Sequence, residues 1–184
     1  MRLFVAVKLP EQEKERIAGE LLEKIPRKHF KAVEKGNLHI TLCFIGEAPE
    51  EHAQEIREAL SKVQFTPFRA VLSGIGSFGS RVLWLGLSVG EKECEALAEK
   101  VHQALGIKSG MKFHAHVTLA RGRDAGKGET EKTAEKLGKA GFEGVEFEVD
   151  GFALMQSKSG PAGPAYIVGS WFSASTFLSK ESGS

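Results

Sequence analysis

The sequence predicts a fold of mixed strands and helices, built from two similar halves that meet at a cleft. Segments with the two-residue alternation of strands are interleaved with segments that have helical apolar spacing. The triplet H-x-T occurs at His39 and again at His116, each time in an apolar, strand-like run. The order strand, helix, H-x-T strand also occurs twice, with 37 residues from Arg2 to His39 and 35 from Arg81 to His116. Two such halves would meet across a pseudo-twofold axis, which brings both histidines to one cleft.

The first half begins with an unbroken apolar alternation and continues with a helix that starts at Pro10. Proline suits a first helical turn, and the acidic side chains of Glu11 and Glu13 favour the positive end of the helix dipole. The predicted elements are a strand at 2–8, a helix from 10 to 26, a short strand at 32–33, the first H-x-T strand ending at 46, and a helix at 49–63.

The second half has the same order of elements with a longer tail. Its glycine-rich segment 74–79 is interpreted as a connection or hinge, and Gly106 is well placed to end a helix. The predicted elements are strands at 65–73 and 81–89, a helix at 91–105, the second H-x-T strand, a polar loop at 121–128, a helix at 130–139, a strand at 145–156 that is broken or bulged near 151, a turn at 157–163 and a last strand at 166–168. Residues 1–178 are expected to form a single bilobal domain, and 179–184 to fray.

Composition sets limits on the class of protein. With 184 residues, 41% hydrophobic and 27% charged, the chain fits one medium-sized domain and not a disordered one. No apolar run approaches the roughly 20 residues that span a membrane. Cys43 and Cys94 lie in apolar patterns, which favours a reducing cytoplasm over a disulfide. A net charge of +1 does not favour wrapping of a long nucleic acid but is compatible with a small or terminal phosphate.

The paired triplets indicate acid–base chemistry at phosphorus. Six His and six Thr in 184 residues predict about 0.2 H-x-T triplets by chance. Residues two apart on a strand share a face, so His39 lies beside Thr41 and His116 beside Thr118. An imidazole titrates near neutrality, so one histidine can accept a proton from water while the other donates one to a leaving oxygen. The hydroxyls can donate hydrogen bonds to phosphate oxygens, and no metal is needed.

Arg121 follows Thr118 by three residues. On a regular strand this odd spacing would turn the guanidinium away from the cleft. A strand end or a bulge at Ala120 would return it to the cleft, where it could bind phosphate in bidentate fashion. An exposed arginine at the rim is the alternative.

These residues carry a resemblance that covers nearly the whole chain. The matching segments are R-L-F-V-A-V-K-L-P, N-L-H-I-T-L-C-F-I-G-E, R-V-L-W-L-G, F-H-A-H-V-T-L-A-R and S-K-S-G-P-A-G-P-A-Y. With its two motifs, near 39–42 and 116–119, the chain resembles the two-histidine phosphoesterases, specifically the RNA 2′,3′-cyclic phosphodiesterase or 2′-5′ RNA ligase family. It departs from the family pattern after Tyr166, where 169–176 is less strand-like than expected.

The resemblance implies a bilobal α+β fold, with two antiparallel sheets lining the cleft and helices outside. It implies hydrolysis of RNA 2′,3′-cyclic phosphate ends, tRNA-derived ends among them, to 2′-phosphomonoesters. We also expect a cytoplasmic monomer that needs no cofactor. Reversible 2′-5′ ligation is a further activity of the family. In this family's scheme His39 is the proton donor and His116 the proton acceptor, while Thr41, Thr118 and Arg121 bind phosphate.

Two other functions remain open from the residues alone. The first is a non-catalytic module that binds nucleotides or RNA ends. The second is a metal-dependent hydrolase, since His114 and His116 form an H-x-H pair that can chelate a metal. Phe44, Phe78 and Trp84 are candidates for stacking on bases, although core packing is the favoured interpretation for each.

Overall fold

The structure is a computed structural model that describes residues 1–108, 110, 112–123, 127–160 and 163–175. The strands are β1 Arg2–Lys8, β2 Phe30–Ala32, β3 His39–Glu47, β4 Phe68–Phe78, β5 Val82–Val89, β6 His116–Gly122, β7 Val145–Val149, β8 Gly151–Gly160 and β9 Gly163–Ser173. The α-helices are α1 Glu11–Glu20, α2 Ala53–Leu60, α3 Glu91–Leu105 and α4 Lys127–Gly138. Short 3₁₀ turns occupy Leu22–Lys24, Lys35–Asn37 and Glu50–His52.

All the strand pairings are antiparallel, and the strands follow the order β7-β4-β5-β6-β3-β1-β8-β9, with β2 added beside β6. This order places β7, β4, β5 and β6 in one lobe and β3, β1, β8 and β9 in the other, and the lobes are joined where β3 pairs with β6 at Ile40 and Val117. The predicted bilobal α+β architecture is confirmed. The two expected sheets are the two halves of one curled sheet, because this central pair connects them.

The internal repeat is present in the strand pairing, but it is shifted by one residue from the sequence superposition. That superposition aligns Arg2 with Arg81, and therefore Phe4 with Leu83. In the structure Phe4 pairs with Phe44 on β3, and Val82 pairs with Arg121 on β6. Phe4 and Val82 are therefore equivalent. Apolar alternation in the sequence could not reveal this one-residue shift, because the shift depends on which residues of neighbouring strands pair with each other.

Helix α3 has the bounds that periodicity predicted, and it ends as expected at Gly106, which has a φ of +66°. Its apolar stripe, which includes the fully buried Cys94 and Val101, packs against β3 and α2. Helix α1 contacts β7, and α4 contacts β4 and β5. The helices therefore cover one face of the sheet and leave the other face for the cleft.

The glycine-rich segment 74–79 is not a hinge, because β4 continues through it to Phe78. Its register shifts between Leu72 and Ile75, a bulge that uses the positive φ of Gly74, +79°. Gly76 faces the indole of Trp84 on β5, where an added Cβ would lie 2.3 Å from a ring carbon. The glycine therefore provides room for a tryptophan on the neighbouring strand.

The C-terminal hairpin also differs from expectation. The predicted turn at 157–163 is mostly strand, since β8 runs to Gly160 and β9 begins at Gly163. Strand β9 then continues to Ser173, well beyond the predicted strand at 166–168. Its pairing with β8 places the Trp171 ring over Gly151, which has no side chain to oppose it. The tail at 179–184 lies outside the described residues.

Cys43 and Cys94 are buried free thiols, and burial raises the pKa of Cys43 to about 11 and that of Cys94 to about 12. In the described part of the chain, no helix has the length and apolar character required to cross a membrane.

Candidate active site

The two H-x-T triplets lie side by side at the centre of the sheet. Their middle residues, Ile40 and Val117, pair directly and are fully buried beneath the helices. The flanking His and Thr residues therefore face the opposite side, into a cleft of about 710 Å³. Because the strands are antiparallel, His39 lies toward Thr118, and Thr41 lies toward His116. The four predicted side chains line this cleft together.

His39 is enclosed by its neighbours. Its Nδ1 lies 2.6 Å from the carbonyl oxygen of Asn37, and its Nε2 lies 3.0 Å from Thr41 Oγ1. The ring of Phe4 packs against the imidazole at 5.1 Å, and that of Tyr166 meets it edge-on at 5.2 Å. These contacts fix the ring orientation, so His39 needs little reorganisation to act.

His116 has the same backbone contact and a different set of rings. Its Nδ1 lies 2.7 Å from the carbonyl oxygen of His114. His114 precedes His116 by two residues, just as Asn37 precedes His39. Phe78 meets the His116 ring edge-on at 5.0 Å, and Trp84 lies behind at 6.4 Å. The wall on this side of the cleft is therefore also aromatic.

The carbonyl contacts determine the tautomer of both histidines. A carbonyl oxygen only accepts hydrogen bonds, so Nδ1 must carry a proton in each ring. In the neutral imidazole, Nε2 then has the free lone pair and can accept a proton. In the charged imidazolium, Nε2 has the proton that can be donated. In both rings, Nε2 is therefore the nitrogen through which a proton can be accepted or donated.

Burial lowers the pKa of His39 below its ordinary value of 6.5, and the positive charges of His116 and Arg121 act in the same direction. Burial likewise lowers the pKa of His116, helped by His114 and Arg121. In both cases the hydrogen bond to the backbone carbonyl opposes the shift. Near neutral pH the unliganded cleft therefore favours two neutral imidazoles, and a bound anion would favour protonation.

Arg121 reaches the cleft through a bulge. Strand β6 pairs Thr118 with Trp84 and Ala120 with Leu83, so Leu119 is an extra residue. Leu119 and Ala120 are both fully buried, and the next residue returns to the cleft face. Arg121 consequently lines the same cleft as Thr118, and its charge acts on both histidines. The sequence predicted that Arg121 would face the cleft only if the strand ended or bulged near Ala120, and the bulge is present.

The first motif strand has the same irregularity. Strand β3 pairs Thr41 with Ala6 and Cys43 with Val5, so Leu42 is the extra residue. Phe44 therefore occupies the position equivalent to Arg121, and it lines the cleft with 71% of its side chain exposed. The expectation of core packing is wrong for Phe44. It is also wrong for Phe78, which is 41% exposed. Trp84 is half-buried behind Phe78.

Comparison with known proteins identifies the family of the chain. Residues 10–161 match the family model of the 2′-5′ RNA ligase superfamily. The chain belongs to the 2′-5′ RNA ligase superfamily. It is similar to the RNA 2′,3′-cyclic phosphodiesterase of Archaeoglobus fulgidus, with 40% identity over 90% of this chain and 96% of the relative. It is also similar to the protein of the same name from Thermus thermophilus, with 33% identity over 91% of this chain and 87% of the relative.

Solved structures of other proteins have a similar fold. E. coli LigT complexed with 3′-AMP has a TM-score of 0.79 at 27% identity, covering 95% of this chain and 98% of LigT. TT0787 of Thermus thermophilus has a TM-score of 0.72 at 30% identity, covering 94% of this chain and 97% of that protein.

Several residues around this superfamily site are not among the candidate site residues that the sequence indicates. Asn37 supplies the carbonyl that orients His39, and its side-chain amide donates a hydrogen bond to the Pro164 carbonyl oxygen at 2.7 Å. Tyr166 and Phe4 pack on His39 from β9 and β1. The sequence signal that could have pointed to Tyr166 is that it is the chain's single tyrosine and lies in a segment that resembles the family. Strand pairing is needed to locate it.

His114 is not among the residues that line the cleft. It packs against the aromatic wall beside His116. Its ring packs on Trp84 at 4.7 Å and is 5.9 Å from that of His116, whose Nδ1 is occupied by the His114 carbonyl. Among the residues that the structure describes, no three His, Cys, Asp or Glu side chains are grouped as metal ligands.

Proposed function

We propose that this superfamily member hydrolyses the 2′,3′-cyclic phosphate at RNA 3′ ends to a 2′-phosphomonoester, with His39 and His116 as the acid–base pair. The observation that carries the proposal is the matched setting of the two histidines. Each has Nδ1 bound to the carbonyl two residues earlier, and both line one cleft. The name that the A. fulgidus and T. thermophilus relatives share supports the substrate class.

The proposed step is an in-line displacement at phosphorus. Water attacks on the His116 side, and its proton passes to Nε2 of His116 as the new P–O bond forms. The P–O3′ bond breaks on the opposite side, and Nε2 of His39 gives its proton to the leaving O3′. One water is consumed, the total charge of the two histidines is unchanged, and proton transfer through solvent restores the starting state.

Three polar side chains are proposed to bind the phosphate. Thr41 and Thr118 donate their hydroxyl protons to non-bridging oxygens, and the Arg121 guanidinium donates two parallel N–H bonds. These donors are fixed on strands, so they can stabilise the charge that develops in the transition state with little rearrangement. Thr41 already contacts His39 Nε2, which places a hydroxyl beside the proton that is transferred.

A non-catalytic binding module fits the site less well. Binding of a phosphate anion requires the hydroxyls and the guanidinium, but it does not require two half-buried imidazoles with the same defined tautomer. Burial of both histidines lowers their pKa values and so weakens their attraction for an anion. The arrangement is therefore better suited to proton transfer than to binding alone.

The test uses nucleoside and oligonucleotide 2′,3′-cyclic phosphates, with identification of the product isomer, in the presence and absence of a chelator. We expect the 2′-phosphate in both conditions. Loss of activity with the chelator and its return with a divalent ion would favour the metal-dependent alternative. A 3′-phosphate product would contradict the proposed direction of cleavage, and no product would contradict the function.

We infer that the enzyme acts on RNA ends, tRNA-derived ends included, as a cytoplasmic monomer without a cofactor. We also infer that 2′-5′ ligation is the same displacement with an RNA 5′-hydroxyl in the place of water, so that the P–O3′ bond breaks and a 2′-5′ diester forms. Two buried free thiols suit a reducing compartment. An RNA carrying a 2′,3′-cyclic end, incubated with a second RNA bearing a free 5′-hydroxyl, tests the ligation.

A further inference from the structure

One end of the cleft is bordered by basic side chains from two neighbouring strands. Here β2 begins beside the end of β6, and Lys31 pairs with Arg121. Both of these side chains line the cleft. The contact between the two segments continues outward, where the Arg123 amide donates a hydrogen bond to the His29 carbonyl oxygen at 2.9 Å. Arg121 and Arg123 are two residues apart, which is about 7 Å along a strand. A row of cations therefore leads out of the cleft.

The turn that precedes β2 adds two further cations. The Phe30 amide donates a hydrogen bond to the Pro26 carbonyl oxygen at 3.1 Å, which closes the turn. Arg27 and Lys28 lie at its exposed tip. We give the name basic patch to four exposed residues: Arg27, Lys28, Lys31 and Arg123. Arg121 lies between this patch and the two histidines.

The positive charge of the patch is not balanced by carboxylates of the described residues. Segments 27–31 and 121–123 contain no Asp or Glu, and Asp124 lies outside the described part of the chain. Arg27, Lys28 and Arg123 form no ion pair with another described residue. The net charge of the whole chain is only +1, so this is a local concentration of charge.

The equivalent position in the first motif strand has a different charge. Gly46 is equivalent to Arg123, because Phe44 is equivalent to Arg121. The next residue, Glu47, lies 3.4 Å from the guanidinium of Arg2 and 3.6 Å from the N-terminal amine. The cations at that end of the cleft are therefore neutralised. The difference between the two ends favours an anion that leaves the cleft along the end of β6.

The terminal phosphate of an RNA is joined covalently to the rest of the RNA chain. In the proposed function Arg121 binds the cyclic phosphate within the cleft, so the preceding nucleotides must leave the cleft. Each of them carries a further phosphate, and neutralisation of phosphates by Lys and Arg is a main source of affinity for nucleic acids. An acidic protein would also be attracted by the patch, but it would have no connection to the cleft. The continuity between patch and cleft therefore favours RNA.

We propose that the basic patch binds the backbone phosphates of the nucleotides that precede the cyclic end of an RNA. This inference rests on the proposed cyclic phosphodiesterase function, and it specifies an oligonucleotide as the preferred substrate over a single nucleotide. The RNA passes Arg121, follows the end of β6 to Arg123 and reaches the turn at Lys28. Contacts to phosphate add affinity without a preference for base sequence.

The experiment compares adenosine 2′,3′-cyclic phosphate, which has no preceding nucleotide, with a short oligoadenylate that has the same cyclic end. The double variant Lys28→Gln/Arg123→Gln removes one charge from the turn and one from β6. The matched control is Lys62→Gln/Lys92→Gln, at two exposed lysines that follow α2 and lie in α3, away from the cleft residues. Both double variants change the net charge equally. We would measure kcat and KM at about 50 and about 200 mM salt, since phosphate contacts weaken strongly over this range.

We expect wild type and the control variant to have a lower KM for the oligonucleotide, and this KM should rise steeply with salt. In Lys28→Gln/Arg123→Gln, the KM for the oligonucleotide at low salt should rise by about 5-fold or more, the scale of two exposed charge contacts. The slope of log KM against log salt should decrease by about 1.4, because each contact to a single strand contributes about 0.7. The kcat should be unchanged for both substrates, since these contacts are equal in the ground state and the transition state.

The mononucleotide provides the readout that a purely structural role would alter. Its KM should be the same in wild type and in Lys28→Gln/Arg123→Gln, whereas a disturbed fold would impair both substrates. An unchanged KM and salt slope for the oligonucleotide in this variant, or equal effects in the control variant, would overturn the role of the patch alone. Absence of hydrolysis of either substrate by wild type would overturn the proposed function and this inference with it.

Discussion

His39 and His116 have similar local sequence contexts but different surroundings. Each donates its Nδ1 proton to the carbonyl two residues earlier. His39 is also enclosed by Phe4 and Tyr166, whereas His116 lies against Phe78. Burial is the largest influence on both, and it lowers both pKa values. Because their surroundings differ, the two histidines can have different roles in proton transfer. Their lowered pKa values should be visible in the pH dependence of the activity.

The pH dependence of kcat/KM is the first prediction at this scale. Activity requires a neutral base and a protonated acid, so the rate falls below the pKa of the base and above that of the acid. Because both pKa values are lowered from 6.5, we expect a bell-shaped profile centred below pH 6.5. The profile of kcat should lie at higher pH, since the bound anion favours protonated imidazole. A flat kcat/KM profile, or one centred above pH 7, would contradict this.

Arg121 provides the second prediction at the residue scale. A bidentate contact between guanidinium and phosphate is a charge-assisted interaction, and its loss costs about 1.5–3 kcal/mol. We therefore expect Arg121→Ala to lower kcat/KM by about 10- to 100-fold, with Arg121→Lys recovering only part of the loss. Arg69→Ala, at an exposed arginine that does not line the cleft, is the control. Equal effects at positions 121 and 69 would indicate a general charge effect instead.

At the scale of elements, the site depends on strand irregularities that a sequence pattern does not reveal. The bulges at Leu42 and Leu119 return Phe44 and Arg121 to the cleft face. Strict alternation would have placed both side chains on the helix-covered face. A further irregularity is in β4, where Gly74 and Gly76 allow the strand to pass beside the indole of Trp84. Glycine has low strand propensity, so the sequence alone favours a hinge in this segment.

Gly76→Ala tests whether this glycine is required by the Trp84 ring. Its Cβ would lie 2.3 Å from the indole, so the ring must move and disturb the wall behind His116. We expect the free energy of unfolding to fall by about 1–3 kcal/mol, as in other overpacked sites. In α1, Gly19→Ala meets nothing within 4 Å, and it should raise the free energy of unfolding by about 0.5–1 kcal/mol. Chemical denaturation measures the free energy of unfolding of both variants. Equal changes in the two variants would contradict the steric conflict between the added Cβ and the Trp84 ring.

Strong periodicity explains which elements could be predicted. β1 and α3 have the predicted bounds, because an unbroken apolar alternation and a long apolar stripe leave little ambiguity. The sequence underestimates strand β9, since this strand contains Pro164 and Gly169 and depends on pairing with β8. Asn37 and Tyr166 could not be assigned to the site for a similar reason. Their contacts with Pro164 and His39 join segments that are distant in sequence.

At the scale of the whole molecule, the cleft exists only because two halves meet. One pair of residues, Ile40 and Val117, joins the two parts of the sheet. Strands β8 and β9 then return the end of the chain to the first half, where Tyr166 packs on His39 and the Pro164 carbonyl accepts the Asn37 side chain. The duplicated motif was sufficient to predict that the cleft lies between the two halves, whereas the return of β8 and β9 to the first motif depends on strand pairing.

The most direct test of the account is kcat for adenosine 2′,3′-cyclic phosphate in His39→Ala and His116→Ala. Each variant removes one member of the proposed acid–base pair. We expect each to lower kcat by at least about 100-fold, the usual scale for a lost general acid or base. His52→Ala is the control, because this exposed histidine lies in the 3₁₀ turn Glu50–His52 and is not among the cleft residues. Wild-type kcat in either the His39 or the His116 variant would contradict the two-histidine mechanism.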